Sequence, residues 1–315
     1  MNVGMIVTGI LVALIVFCLA IGLFLFYEIL GRDAKVFGML TGANKKEKER
    51  AEHYHTVMER IKKYGAQEWN LTSDKGKRLV AYYVPAKEES DVVFVLNHGY
   101  RGNFANDFAG QIFDLYERGY HLLLLEHQAS KHSEGKYITF GHRESEDELL
   151  WLQEINNRLS GEMKLILYGI SMGSATVLML SGDERLPDNV SFVIGDCGYT
   201  NAYRQIELTI KNAGLPCPGF LMALVNFWAK CILHIDFRLI SPIDSVKRAK
   251  VPILFVHGDK DLFVPTYMVE ELYNSCTSEK EKLLVAQAEH GQSYMMGKEI
   301  CLEKIDAFIE KYART

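Results

Sequence analysis

No two cysteines in the chain stand in a CxxC pair or in a Cys/His zinc-ligand pattern. Cys18, Cys197, Cys217, Cys231, Cys276 and Cys301 are scattered, which excludes a disulfide framework and a zinc knuckle. They read as small buried hydrophobes, and unpaired thiols fit a reducing compartment. A basic excess is equally absent. Thirty-five Lys and Arg against 40 Asp and Glu leave a net charge of -5, so nothing marks a nucleic-acid binder. Internal repeats and low-complexity tracts are missing too, and 48% of the residues are hydrophobic. The chain is therefore a globular folder, neither a solenoid nor a disordered tail.

The most local absence is of charge between Val3 and Tyr27. A helix of that length covers about 37 Å, more than the roughly 30 Å of a bilayer's hydrocarbon core. A cleaved signal peptide would carry a basic start, a shorter apolar core and a small-residue cleavage site. Met1 and Asn2 bring no side-chain charge, so residues 1–30 are expected to be an uncleaved single-pass membrane anchor. Arg32, Lys35, Lys45, Lys46, Lys48 and Arg50 follow it, and the positive-inside rule places the rest of the chain on the cytoplasmic side. Residues 31–65 are expected to form a juxtamembrane linker. Within it "KKEKERAEHYHTVMERIKKY" mixes both charge signs without glycine or proline, the pattern of a solvated helix.

Residues 66–315 are expected to form one domain. Gln67–Leu71 and Arg78–Val84 flank the turn-rich "TSDKGK" as an edge hairpin would. Short, nearly continuous apolar runs follow at Val92–Leu96, His121–Leu125, Lys164–Tyr168, Val190–Ile194, Pro252–Val256 and Lys282–Val285. Continuous apolarity marks strands covered on both faces, and helical stretches such as Asn103–Glu117, Arg143–Arg158 and Ser171–Leu180 lie between them. The reading is an α/β fold with a mostly parallel central sheet and helices on both faces. Between the Val190 and Pro252 runs the interval is too long for one crossover, and a helical cap insertion is expected at about 200–247. Its segment "GFLMALVNFWAKCILH" is apolar nearly all round, so it must be buried against the body, a ligand or lipid.

Gly169-Ile170-Ser171-Met172-Gly173 sits where a strand run meets a helix run, the context of the G-x-S-x-G nucleophile elbow. A serine hydroxyl needs a base to take its proton, and the base needs a carboxylate to fix its tautomer. In the order Ser, Asp, His the partners are present: Asp259 or Asp261 past one strand run, and His290 past the last. The plain alternatives are a helix N-cap for Ser171 and a surface role for His290. They lose ground because the three residue types recur in the required order. An oxyanion needs two donors. The N–H of Met172 is one candidate, and the N–H of Tyr100, in the loop "HGYRGN", is the other. His98 in that loop reads as structural.

Together "HGYRGN", "GISMG", "HGDKDLFVP" and "AEHG" resemble the α/β-hydrolase superfamily from about Tyr83 to the end of the chain. Within it the chain is similar to membrane-anchored bacterial hydrolases grouped with serine aminopeptidase-like and Bem46-like proteins. The segments "SEGKYITFG" and "DCGYT" also resemble that group. The resemblance implies a G-x-x-D-x-x-V-P acid loop, with Gly258 and Pro265 in register, and so picks Asp261 over Asp259. One departure concerns the loop after the fourth strand. Relatives commonly carry Asp-x-Arg-x-His-Gly-x-Ser there, whereas Glu126, Gln128, Ser130 and Lys131 stand in "EHQASKHS".

The expected activity is hydrolysis of a carboxylic ester or thioester, of a small-molecule or lipid-like substrate, without metal or organic cofactor. The alternatives are a serine peptidase of the aminopeptidase-like type, and a catalytically silent membrane-bound binding module.

Overall fold

The computed structural model describes residues 3–35, 47–159 and 162–314; Lys45 and Lys46 of the basic flank lie outside them. The chain divides into two compact units. One comprises Met1–Lys45 with Asn201–Ile240, the other Lys46–Thr200 with Ser241–Thr315.

The larger unit is built on an eight-stranded sheet of β1 (Gln67–Thr72), β2 (Arg78–Val84), β3 (Val92–Asn97), β4 (His121–Glu126), β5 (Lys164–Ile170), β6 (Val190–Asp196), β7 (Ile253–Gly258) and β8 (Lys280–Val285). Its order is β1-β2-β4-β3-β5-β6-β7-β8. The β1–β2 hairpin occupies one edge and joins β4 antiparallel, and every later pairing is parallel.

Alternation along the strands sorts the core into two layers. Phe94, Leu96, Leu122, Leu124, Ile166 and Tyr168 point to one face. Val93, Val95, Leu123, Leu125, Leu165 and Leu167 point to the other. The first face is covered by α2 (Glu47–Lys63), α3 (Phe104–Glu117) and α11 (Lys298–Tyr312), and the second by α4 (His142–Arg158), α5 (Met172–Leu180) and α9 (Tyr267–Ser275). Strands β3 to β7 are thus covered on both faces, as continuous apolar runs require, whereas β8, at the edge, buries only Val285.

The structure differs from the sequence reading at α2. Its outer face is charged and exposed, but Tyr54, Val57 and Ile61 are buried against α3 and the sheet. The Tyr54 hydroxyl donates to Glu126 at 3.1 Å. The linker helix is therefore packed into the body along one stripe, not solvated all round.

The smaller unit contains α1 (Val3–Leu30), α6 (Ala202–Asn212) and α7 (Pro218–Leu233). Among the described residues α1 is the one unbroken helix long and apolar enough to cross a membrane. Asn201 caps α6 by accepting from the N–H groups of Tyr203 and Arg204. Asn226 closes the end of α7: its amide donates to Asp236 at 3.0 Å, and its carbonyl accepts from the N–H of Phe237 at 2.8 Å. The Trp228 indole N–H on α7 donates to the Leu19 carbonyl on α1 at 2.9 Å.

Candidate active site

Strands β3, β5, β6, β7 and β8 are neighbours and run the same way. Their carboxyl ends therefore share one edge, where loops of open α/β sheets gather chemistry. Four of the loops there carry Tyr100, Ser171, Asp261 and His290.

Ser171 occupies the one-residue turn between β5 and α5, with φ 56° and ψ -112°. That conformation costs a non-glycine residue on the order of 1–3 kcal/mol and persists only where the surroundings enforce it. They do so through its flanking glycines. A Cβ on Gly169 would lie 2.1 Å from the Gly173 carbonyl oxygen, and one on Gly173 would lie 1.9 Å from that of Asn97. Only bare Cα atoms let the strand, the turn and the helix pass so close. The Ser171 N–H is tied to the Asp196 carbonyl at 2.9 Å.

The hydroxyl of Ser171 and Nε2 of His290 are 2.9 Å apart. On the opposite side of the ring, Nδ1 lies 2.7 Å from Oδ2 of Asp261. An ionised carboxylate only accepts, so Nδ1 carries the proton and Nε2 is left as the acceptor for the serine hydroxyl. Asp261 is held in turn: its Oδ1 accepts from the N–H groups of Phe263 and Val264, each at 2.9 Å. Burial alone would push the Asp261 carboxyl up. The hydrogen bonds from His257 and His290, the electrostatic pull of the His290 ring and the Val264 N–H outweigh it and hold the group well below the usual carboxylate range. The rival acid is engaged elsewhere, since exposed Asp259 accepts from the N–H of Gln287 at 2.6 Å.

The loop after β3 reaches the same place. A Cβ on Gly99 would stand 3.3 Å from Cβ of Ser171. Tyr100 and Met172 share a small apolar cluster with Ala129 and Ile138, and the Tyr100 ring stacks on Phe140 with centroids 5.0 Å apart. Asp107 fixes the loop by accepting from the Gly99 N–H at 2.8 Å. His98 is bonded on both nitrogens, to the Gly99 carbonyl at 2.8 Å and to the His127 N–H at 3.1 Å. Accepting from a backbone N–H, its Nε2 is bare, so the ring is neutral, and burial pushes its pKa down. It shapes the loop and has no lone pair left to act as a base.

Three nearby groups escaped the sequence reading. His257, inside β7, shares its Nε2 proton between the Val264 carbonyl at 2.9 Å and Asp261 Oδ2 at 3.3 Å. Its signal was a lone histidine within the apolar run "ILFVHG". Asp196, at the end of β6, accepts from the Ser293 hydroxyl at 2.8 Å, and burial raises its carboxyl. Cys197 places its sulfur within 4.8 Å of the Asp261 and His290 ligand atoms. Burial pushes that thiol up as well, so it stays protonated beside a pair already engaged with each other.

No family model matches the chain. It is 23% identical over 264 residues to the uncharacterized protein YqkD of Bacillus subtilis, covering 84% of this chain and 85% of that one. Its structure is similar to that of an esterase of Pyrococcus furiosus, with a TM-score of 0.63 and 19% identity over 78% of this chain and 91% of that one. An α/β hydrolase from a Penicillium species gives a TM-score of 0.60 and 17% identity, over 79% and 99%.

Proposed function

The chain has the α/β-hydrolase fold, and from that premise we propose that it is a membrane-anchored serine hydrolase acting on carboxylic esters or thioesters through an acyl-Ser171 intermediate. The observation that carries this reading is the contact of 2.9 Å between the Ser171 hydroxyl and His290 Nε2, on a ring whose other nitrogen faces Asp261. His290 takes the hydroxyl proton as Oγ bonds to the substrate's carbonyl carbon. The anionic Asp261 steadies the resulting imidazolium. The N–H groups of Tyr100 and Met172 receive the negative charge that develops on the carbonyl oxygen. His290 then returns its proton to the leaving alcohol or thiol, the tetrahedral intermediate collapses, and acyl-Ser171 remains. Water, deprotonated by the same ring, releases the acid. The route draws on three side chains, two backbone N–H groups and water.

Anchoring rests on α1 and its uncharged stretch from Val3 to Tyr27. The basic residues after it favour a cytoplasmic body. An anchored enzyme with an apolar insertion suits lipid-like acyl substrates. The test is turnover of short and long p-nitrophenyl acyl esters beside aminoacyl amides. Wild type is expected to cleave the esters, and Ser171→Ala to lose about three orders of magnitude or more in kcat. Cleavage of the amides in preference would make the protein a peptidase using the same residues. Full ester turnover by Ser171→Ala would refute the assignment.

A further inference from the structure

The smaller unit carries information about depth. Val3 to Tyr27 contains 25 uncharged residues (27 - 3 + 1), and a hydrocarbon core of roughly 30 Å takes about 20 helical residues. Whatever window of that length crosses the core, it begins between Val3 and Thr8 and ends between Gly22 and Tyr27. Leu19 and Gly22 are inside it in every placement, with Leu19 about 4 to 12 Å beneath the boundary at 1.5 Å per residue.

Those are the positions that α7 touches. Trp228 donates to the Leu19 carbonyl at 2.9 Å. A Cβ on Gly22 would lie 2.6 Å from Cβ of Leu224 and 3.3 Å from Cδ1 of Trp228, so the glycine is what lets the two helices approach. A helix held at that depth must have its polar side chains paired, and those of Asn226, Trp228 and Lys230 are. Asn226 is bonded by Asp236 and the Phe237 N–H. The Trp228 N–H is bonded to α1. Lys230, the one charged residue in the helix, pairs with Asp236 at 3.2 Å near the helix's carboxyl end. The outward face carries Phe220, Ala223, Phe227, Lys230 and Cys231, an exposed apolar stripe with one lysine toward its carboxyl end; the two phenylalanines are exposed by 54% and 46%.

We infer that α7 is immersed in the bilayer beside the last turns of α1, with the Phe220, Ala223, Phe227 and Cys231 stripe against lipid acyl chains. The partner of this surface is the hydrocarbon of one leaflet. The inference rests on the proposed reading of α1 as a membrane span, and the two can fail separately.

Depth-dependent quenching tests it. Single cysteines are introduced as Val12→Cys in α1, Phe227→Cys in α7 and Glu88→Cys in the exposed loop before β3, in full chains whose Cys18, Cys217 and Cys231 are replaced by serine. Each is labelled with a nitrobenzoxadiazole dye and reconstituted in phosphatidylcholine–phosphatidylglycerol vesicles. Expected is loss of emission at Val12 and Phe227 with acyl-brominated lipid and none with aqueous iodide, and the reverse at Glu88. Quenching of the Phe227 label by iodide, or by neither agent, while Val12 responds to brominated lipid, would overturn the inference and leave the span standing. Iodide quenching at Val12 would remove the span and the inference together. Phe220→Cys, on the same stripe, must repeat the Phe227 result.

Discussion

At the scale of single residues, the choice of acid turns on geometry. Asp259 and Asp261 stand two positions apart in one loop, and spacing alone does not separate them. Only Asp261 has its carboxylate buried, bonded by two backbone N–H groups and facing His290. Asp261→Asn should lower kcat for esters by about four orders of magnitude, because an amide at that position favours the wrong imidazole tautomer. Asp259→Asn should leave it within about threefold, since its contact is an exposed bond to one loop N–H. Steady-state kinetics on both variants checks the pair. Asp196 and Cys197 were not legible as parts of this neighbourhood, because each meets the His290 loop or the Asp261–His290 pair only after strands distant in sequence are laid side by side; His257 stands four residues before Asp261, and it is the turn of their shared loop that brings its ring onto the carboxylate.

A second buried acid shapes stability. Burial raises Glu148 on α4 from 4.5 to about 8, and the Asn97 amide bond at 2.9 Å only partly opposes this. The folded-state pKa exceeds the unfolded one, so the group's contribution to stability is full below about pH 4.5 and is lost as pH rises toward 8. Glu148→Gln cannot ionise and should flatten that loss in thermal melts run between those limits. Part of the slope should survive, because burial also raises neighbouring Asp147 to about 8.

At the scale of elements, nearly every strand falls within a residue or two of its apolar run, because a strand covered on both faces leaves an unbroken signature. The elbow was legible for a similar reason: its glycines answer to contacts within the β5–α5 turn and with the adjacent end of β3. Helix α2 shows where that legibility stops. Tyr54, Val57, Met58 and Ile61 recur at helical spacing, yet the mixed charges around them read as a solvated linker. The buried stripe is narrow, so charge dominates the composition while three side chains decide the packing. Ile61 is fully buried, and Ile61→Ala should cost about 3 kcal/mol through lost burial and the cavity left behind. A helix that only tethered the body would show no change, and calorimetry of the intact protein in detergent separates the two outcomes.

At the scale of the whole molecule, local patterns do not specify strand order. The reversal between β3 and β4 and the antiparallel entry of β2 depend on how helices pack across the sheet. Nor did the pattern of "GFLMALVNFWAKCILH" say what it packs against; Leu224 and Trp228 set one side of it on α1. What unites the sheet and its loops chemically is the proposal that Ser171 becomes acylated. The most direct test is to mix the full-length protein with a slowly deacylating p-nitrophenyl ester, quench in acid within the burst, and digest for peptide mass analysis. The account predicts an acyl mass on the peptide containing Ser171, absent from His290→Ala. Product release with no acylated peptide, or with the acyl group on another residue, would contradict it.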